Sequence, residues 1–263
     1  MTSPSTRRMP SLFIGHGSPL NAIEPSPYSR AWAALGRRLP TPRAVLCISA
    51  HWYVPGSPVT ADDAPRTLHD FRGFPPALYA VNYPAPGDPG LARRVAALAT
   101  PTPVPLSLDW GLDHGSWSVL VHLYPDARVP VLQLGIDARQ PPAFHYALGE
   151  RLAPLRDEGV LVLGSGNVVH NLGLIDWRED APPQPYASEF EATVVAAVRD
   201  GRDTALIDYP ALGPAARQAV PTPEHYLPLL YVLGTRQAGE AADTPLAGIS
   251  HGSISMLCVT VGG

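Results

Sequence analysis

Continuous apolar runs recur along the chain between more polar segments, and they predict buried strands. Five runs have this character: Ser11–Gly15, Ala44–Ala50, Val129–Ile136, Val160–Gly164 and Ser255–Val261. Their apolar residues follow one another without alternation, which is typical of a sheet that is covered on both faces. The pattern therefore predicts a central sheet with layers above and below it.

Windows with apolar residues at helical spacing lie between and after these runs. We predict helices over five of them: Pro89–Thr100, Ser116–Tyr124, Pro142–Glu158, Ala187–Asp200 and Glu224–Gly234. Strands that alternate with helices favour an α/β fold, in which a mostly parallel central sheet carries helices on both faces. No linker interrupts the pattern, so we predict a flexible N-terminus over 1–9 and a single domain over 10–263.

Composition narrows the class of protein. The 263 residues include 32 prolines and carry a net charge of −4, with no cluster of basic residues that would indicate a nucleic-acid partner. No apolar run reaches membrane length, so we expect a soluble, cytoplasmic protein without a membrane partner. Cys47 and Cys258 both lie in apolar segments and are expected to be buried thiols. A small-molecule ligand fits this composition best, and nothing in it specifies an oligomeric state.

Three of the nine histidines follow predicted strands. His16 comes directly after the first run, His51 after the second, and His170 shortly after the fourth. Ligands of open α/β sheets bind at the carboxyl ends of the strands, so these imidazoles are expected to meet in one crevice. Neutral imidazole is the commonest metal ligand, and the three together predict a metal centre. Asn167 or Asn171 is a candidate for orienting one of the rings.

Two further histidines carry weaker signals. His225 follows Glu224 in the first turn of a predicted helix, where a side chain can point back toward a cleft. An acidic residue at a helix start is equally explained by the helix dipole. His114 precedes a helix for which Ser116 is the expected N-cap. Its neighbour Asp113 is a candidate partner for the ring in acid–base chemistry, although the segment also reads as a turn.

The remaining histidines are assigned less active roles. His251 precedes the last strand, at what we take to be the wrong end for the crevice, and is interpreted as part of a turn. His69 and Arg72 lie in an aromatic loop that is a candidate cover for an aromatic, carboxylated substrate. The same loop is equally explained as packed by its own aromatic residues. His122 and His145 fall in helical windows and are expected at the surface.

Several motifs in order resemble a known family. They are GHGSPL, SAHW, HDFRGFP, DHGSW, SGNVVHNL and PTPEHYLPLLYVLG. With them the sequence resembles the class III extradiol ring-cleavage dioxygenases, and more narrowly the LigB-like 4,5-DOPA dioxygenase extradiol branch. The resemblance runs from about residue 10 to the C-terminus. It implies that 10–263 is one catalytic α/β domain that cleaves a DOPA-like catechol with O2 to a muconate-semialdehyde-type product.

The resemblance also implies roles for individual residues. It assigns one metal ion per chain, Fe(II) for ring cleavage or Zn(II) as the bound metal, to His16, His51 and His225. His170 resembles the family's acid–base residue, and a fourth ligand where zinc is bound. His114 resembles the histidine that lines the substrate pocket and acts with His170.

One departure from the broader class bears on the metal. There the third ligand is a glutamate, so Glu224 stays open as an alternative to His225, and a set of histidines alone suits zinc well. Two other functions stay open as well: a zinc-dependent hydrolase that uses the same histidines, and a non-catalytic protein that binds metal or a small molecule. The sequence lacks a phosphate-binding P-loop, a GxGxxG fingerprint, an H-E-x-x-H motif and a C-x-x-C pair.

Overall fold

The structure is a computed structural model that describes residues 8–178 and 181–262. Its strands are β1 (Ser11–Gly15), β2 (Ala44–Val54), β3 (Val59–Thr60), β4 (Leu106–Ser107), β5 (Val131–Asp137), β6 (Val160–Gly166), β7 (Ala242–Leu246), β8 (Ile249–Ser250), β9 (Ile254–Ser255) and β10 (Cys258–Val261). Its α-helices are α1 (Pro27–Arg38), α2 (Pro76–Tyr79), α3 (Pro89–Leu98), α4 (His114–Leu123), α5 (Pro142–Leu152), α6 (Pro154–Asp157), α7 (Pro185–Asp200), α8 (Asp203–Ile207), α9 (Pro214–Ala219) and α10 (Leu227–Gly234). Short 3-10 helices cover Pro19–Ala22, Leu172–Leu174 and Tyr209–Leu212.

One sheet organises the molecule, with the strand order β4-β3-β5-β2-β6-β1-β10-β7. The four central strands β5, β2, β6 and β1 are parallel to one another. Antiparallel neighbours flank them, because β3 runs against β5 and β10 runs against β1. The fold is therefore the predicted single α/β domain with a mostly parallel sheet.

The direction of β10 decides what lies beside the end of β1. Ser11 pairs with Val261 and Ile14 pairs with Cys258, so the amino end of β10 lies next to the carboxyl end of β1. The segment that leads into β10, including the β8–β9 hairpin, therefore approaches the same edge of the sheet as the residues that follow β1.

Two apolar layers cover the sheet. Along β1, Phe13 belongs to one core cluster, while Leu12 and Ile14 belong to the other, as the alternation of a strand requires. One layer includes residues of α3, α5, α7, α9 and α10, and the opposite layer includes residues of α1 and α4. Because both faces are buried, the strands read as uninterrupted apolar runs, and the two-sided cover predicted from them is confirmed.

Element boundaries differ from the sequence-based ones where local chemistry intervenes. The helix predicted over Pro142–Glu158 divides at Ala153, because Pro154 offers no amide hydrogen to continue it. The strand predicted over Ser255–Val261 divides into β9 and β10. Helix α1 was not predicted; Ser26 caps it, and the Ser29 side chain accepts from the Ser26 backbone in return.

The chain start and the thiols complete the picture. Of the N-terminus predicted to be flexible, residues 1–7 lie outside the described residues, whereas Met9 is buried and its backbone N–H donates to the Arg156 carbonyl. Cys47 and Cys258 are buried and unpaired, as predicted. None of the helices in the described part of the chain has the length and apolar character needed to cross a bilayer.

Candidate metal centre

Three histidines converge at the carboxyl edge of the sheet. His16 directly follows β1, while His51 lies within β2, which continues four residues beyond the predicted end. His225 lies in the loop before α10, and the His225 carbonyl accepts the backbone N–H of Asn167 at 2.8 Å. A Cβ on Gly166 would stand 2.1 Å from that same carbonyl, so only glycine lets the loop come this close to the end of β6.

Hydrogen bonds set the orientation of two of these rings. His16 Nδ1 lies 3.0 Å from Ser165 Oγ, and that hydroxyl donates to the Gly115 carbonyl, so His16 Nδ1–H is the donor to the serine. His225 Nδ1 lies 3.1 Å from the Glu224 carboxylate and donates to it. In both rings the proton is held on Nδ1, which leaves the Nε2 lone pair unprotonated for a ligand.

The three imidazoles fit a metal ion. One ring nitrogen from each of His16, His51 and His225 lies within 4.8 Å of the others, and the Nε2 atoms of His16 and His51 are 3.2 Å apart. His225 Nε2 is buried and no described residue hydrogen-bonds it. Burial, and then the charge of neighbouring imidazoles, lowers the pKa of all three well below the usual histidine value. Neutral ring nitrogens that converge in this way are what a cation requires.

A carboxylate that the sequence reasoning missed supports the neighbouring histidine. Asp70 Oδ1 accepts the backbone N–H of His114 at 2.8 Å, and its Oδ2 lies 2.9 Å from His114 Nδ1. Burial opposes ionisation of this carboxyl, but the hydrogen bonds and charge of His114 and the charge of His51 outweigh it and lower the pKa of Asp70 to about 2. Asp70 is therefore ionised, and it accepts the Nδ1 proton of His114.

Asp113, the partner predicted for His114, has a different position. It is the N-cap of α4, which therefore begins at His114 and not after the predicted cap Ser116. Its buried carboxylate accepts hydrogen bonds from the Ser49 hydroxyl at 2.7 Å and from the Gln133 amide at 2.7 Å. Burial raises the pKa of Asp113 to about 6. The network lies beneath the site and fixes β2, β5 and α4 to one another.

His170 stacks on His225 across the other side of the cluster. Their ring centroids are 3.5 Å apart and the planes differ by 8°. Burial lowers the pKa of His170 to about 4, so the ring is neutral near pH 7. Neither candidate asparagine orients it: Asn167 donates to the Ser255 carbonyl and Asn171 to the Gln218 carbonyl.

Two further groups of possible ligands overlap the first. They are His51, Asp70 and His114, and His170, Glu224 and His225. In each group the carboxylate faces the Nδ1 atom of a histidine. Asp70 and Glu224 thus orient imidazoles by accepting their protons, and Glu224 lies behind His225 and not among the converging nitrogens.

A cavity of about 320 Å³ opens on the cluster. It is lined by His16, His51, His114, His170 and His225 together with apolar residues that include Phe71, Phe74 and Ile254. The predicted covering loop therefore reaches the cavity through its two phenylalanines. His69 lies outside the lining and meets the Val81 carbonyl at 3.0 Å, and Arg72 is exposed outside it.

Three assignments of histidines are corrected. His251 lines the cavity and does not lie at the opposite edge, because β10 is antiparallel and its amino end reaches the same edge of the sheet as the carboxyl end of β1. His145 is fully buried and lies 3.0 Å from the Tyr231 hydroxyl, so it is not a surface residue. His122 is partly buried and meets the Asn21 carbonyl at 2.7 Å.

Comparison with known proteins agrees with this geometry. Residues 22–254 match the family described as the catalytic LigB subunit of aromatic ring-opening dioxygenase. The chain belongs to the LigB family. It is 48% identical to the 4,5-DOPA dioxygenase extradiol of Escherichia coli (strain K12), over 98% of this chain and 96% of that protein. It is 37% identical to the protein of the same name from Beta vulgaris, over 89% and 88% of the two chains.

A solved structure supports the fold of this LigB-family chain. An uncharacterized protein of Escherichia coli K12 superposes with a TM-score of 0.85 at 45% identity, covering 97% of this chain and 100% of that one. The protein is thus an extradiol dioxygenase, an enzyme of a metal-dependent family, and the predicted family, fold and enzyme class are confirmed. The described residues include a histidine cluster that could hold a metal ion.

Proposed function

We propose that the enzyme cleaves the ring of a catechol with O2, using one Fe(II) ion per chain held by His16, His51 and His225. The observation that carries this proposal is that one ring nitrogen from each of the three histidines lies within 4.8 Å of the others, while the Nδ1 atoms of His16 and His225 are held by Ser165 and Glu224. The names of the relatives, 4,5-DOPA dioxygenase extradiol, support a DOPA-like catechol as the substrate class.

A bound Fe(II) supplies the redox chemistry with O2 and lowers the pKa of the catechol hydroxyls that it coordinates. The protein supplies the proton chemistry. His170 is neutral near pH 7 because burial lowers its pKa to about 4, so it can accept a proton from a substrate hydroxyl. Its stacking on His225 places that base beside the proposed ligand set.

His114 serves as a hydrogen-bonding residue for the substrate. Asp70 accepts its Nδ1 proton, which leaves the Nε2 lone pair to accept a hydrogen bond from a substrate hydroxyl. Phe71 and Phe74 cover the cavity and pack against each other at 5.2 Å between ring centroids. Apolar walls of this kind exclude water and hold an aromatic ring in position for reaction.

The overall reaction places both oxygen atoms of O2 in the product. One ring carbon–carbon bond next to the diol is broken, and the open chain ends in a carboxylate and an aldehyde, a muconate-semialdehyde-type product. A proton held by His170 can return to this product as the ring opens.

The test is anaerobic reconstitution with one equivalent of Fe(II), followed by addition of O2 and a panel of catechols. We expect O2 uptake in equal proportion to substrate loss, with a yellow product chromophore. The Zn(II)-loaded protein serves as the control for the metal, and it should bind catechol without O2 uptake. Absence of O2 uptake with every catechol overturns the proposal, and ester or amide hydrolysis by the zinc form would replace it with a hydrolase.

A further inference from the structure

His251 occupies an unusual backbone position in the wall of the cavity. Its φ angle is 51°, in the left-handed region that few residues other than glycine adopt, although asparagine, aspartate and histidine are enriched there. The next residue, Gly252, also has a positive φ of 73°. Consecutive positive angles of this kind define a tight turn, in which Asn-Gly is the favoured pair.

The surroundings of the turn fix this imidazole. His251 Nδ1 lies 2.7 Å from Ser250 Oγ, and the His251 carbonyl accepts the backbone N–H of Asp176 at 3.0 Å. The ring meets Trp177 edge-on, with centroids 6.0 Å apart. When the Ser250 hydroxyl donates to Nδ1, the ring proton is on Nε2, and Nε2–H is the donor left for a bound molecule.

His251 lines the cavity without belonging to the proposed metal cluster. It is in none of the three groups of possible ligands. Its neighbours in the wall, Leu172 and Trp177, are apolar and exposed, at 57% and 73% respectively. Because this part of the wall is exposed, it is open to a group that extends from the ring of a substrate whose diol meets the histidine cluster.

The charge of the lining limits which groups can meet a carboxylate. None of the described residues that line the cavity is a lysine, arginine, aspartate or glutamate. Ser18 is the other polar residue of this lining outside the histidine cluster, and its hydroxyl caps the 3-10 helix Pro19–Ala22 by accepting the Leu20 N–H. His251 is thus the imidazole that the fold places within the wall of the cavity but outside the three groups of possible metal ligands.

We propose that His251 is a specificity-determining residue, whose Nε2–H donates to a carboxylate on the ring substituent of the catechol. This inference rests on the proposed function and names its substrate class more closely: acidic catechols with a short side chain. Trp177 and Leu172 lie beside the aliphatic part of that side chain and lose exposed apolar surface when it binds.

The test compares 3-(3,4-dihydroxyphenyl)propionate with its methyl ester, a matched pair that differs in the charge of one group. Asparagine tolerates a positive φ, so His251→Asn removes the imidazole without straining the turn. In the Fe(II)-reconstituted enzyme we expect this variant to raise KM for the acid about tenfold, KM for the ester by less than about twofold, and to leave kcat nearly unchanged. Ser250→Ala, which leaves the ring but removes its Nδ1 partner, should give a smaller change in the same direction.

Arg72→Gln is the control, because Arg72 is an exposed cation of the adjacent loop that does not line the cavity. We expect it to leave the acid-to-ester ratio of KM unchanged. An equal change for acid and ester in His251→Asn, or no change, overturns the proposal. So does a selective change in Arg72→Gln alone.

Anaerobic calorimetry on the Zn(II)-loaded protein separates this proposal from the proposed function. The same selective loss, about tenfold in Kd for the acid, is expected there in His251→Asn without any turnover. If the wild-type enzyme consumes no O2 with either compound, ring cleavage fails while the two Kd values still decide the role of His251. Equal Kd ratios in wild type and variant refute the role whatever the activity.

Discussion

The Asp70 carboxylate holds His114 through two hydrogen bonds, at 2.8 Å to its backbone N–H and at 2.9 Å to its ring Nδ1. The first bond fixes the start of α4 and the second fixes the ring, so one side chain sets both the position and the tautomer of this histidine. Asp70 also lies 3.5 Å from His51 Nδ1, which links the orientation of two rings of the site.

Replacing Asp70 therefore should lower turnover more than metal binding. We expect Asp70→Asn, which keeps one acceptor oxygen, to lower kcat about tenfold, and Asp70→Ala to lower it about 100-fold. Steady-state kinetics and metal analysis of the reconstituted proteins check this. Exposed Asp109→Asn is the control, and complete loss of metal in Asp70→Ala would make Asp70 a ligand instead.

His170→Phe distinguishes a base from a metal ligand. The phenyl ring preserves the stack on His225, whose centroid separation is 3.5 Å, but it can neither accept a proton nor bind a cation. We expect normal Fe(II) content and a fall in kcat of about 10²- to 10⁴-fold. Metal content is measured beside kcat, and a variant that loses its metal would assign His170 to the ligand set.

Glu224 is expected to support His225 from behind. Its Oε1 atom accepts the His225 Nδ1 proton at 3.1 Å and is itself held by the Thr222 hydroxyl at 2.8 Å. We expect Glu224→Ala to weaken metal affinity about 10- to 100-fold, and Glu224→Gln to recover part of that loss because its amide oxygen still accepts. Competition with a chelator measures both, with exposed Glu189→Gln as the matched control. If Glu224→Gln binds metal no better than Glu224→Ala, the negative charge of Glu224, and not its hydrogen bond to His225, supports metal binding.

His145 should make stability depend on pH away from the metal centre. Burial lowers its pKa from 6.5 to about 4 in the folded protein, so the unfolded chain takes up the proton first as pH falls. The free energy of unfolding is therefore unaffected by this proton above pH 6.5, and it falls by up to about 3 kcal/mol as the pH drops toward 4.

Urea unfolding of the wild type and of His145→Gln at a series of pH values checks this. Glutamine can still bond the Tyr231 hydroxyl but does not titrate, so the difference in unfolding free energy between the two proteins should change across that interval and be constant above it. A difference that stays the same from pH 7 to pH 4 would show that His145 is not protonated on unfolding.

Local sequence was sufficient to predict the strands that position the site and the edge of the sheet where it lies. Buried parallel strands must be apolar on both faces, so β1 and β6 can be recognised in the sequence as continuous apolar runs. A histidine just after such a run lies at the ligand-binding edge of the sheet, independently of how the helices pack. His16 is the clear case. His51 shows the limit of the rule, because β2 runs on through it to Val54.

Hydrogen-bond partners of the histidines that are distant along the chain could not be predicted from the sequence. Asp70 and His114 are separated by 44 positions along the chain. The sequence favours the adjacent Asp113 as the partner of the His114 ring, but Asp113 is the N-cap of α4 and its carboxylate lies beneath the site. His145 appeared exposed because a helical window shows periodicity and not which element covers it, and α10 covers it through Tyr231.

The amino-acid sequence alone determined the α/β class, the apolar strands, the family resemblance and the histidines that end in the cluster. Tertiary structure decided which nitrogen of each ring is free, which carboxylates hold the others, and that His251 belongs to the cavity. The physical reason is distance and direction. A hydrogen bond requires two groups within about 3 Å, whatever their separation along the chain. The antiparallel course of β10 brings the turn with His251 to the edge of the sheet that holds the histidine cluster, whereas its sequence position predicts the opposite edge.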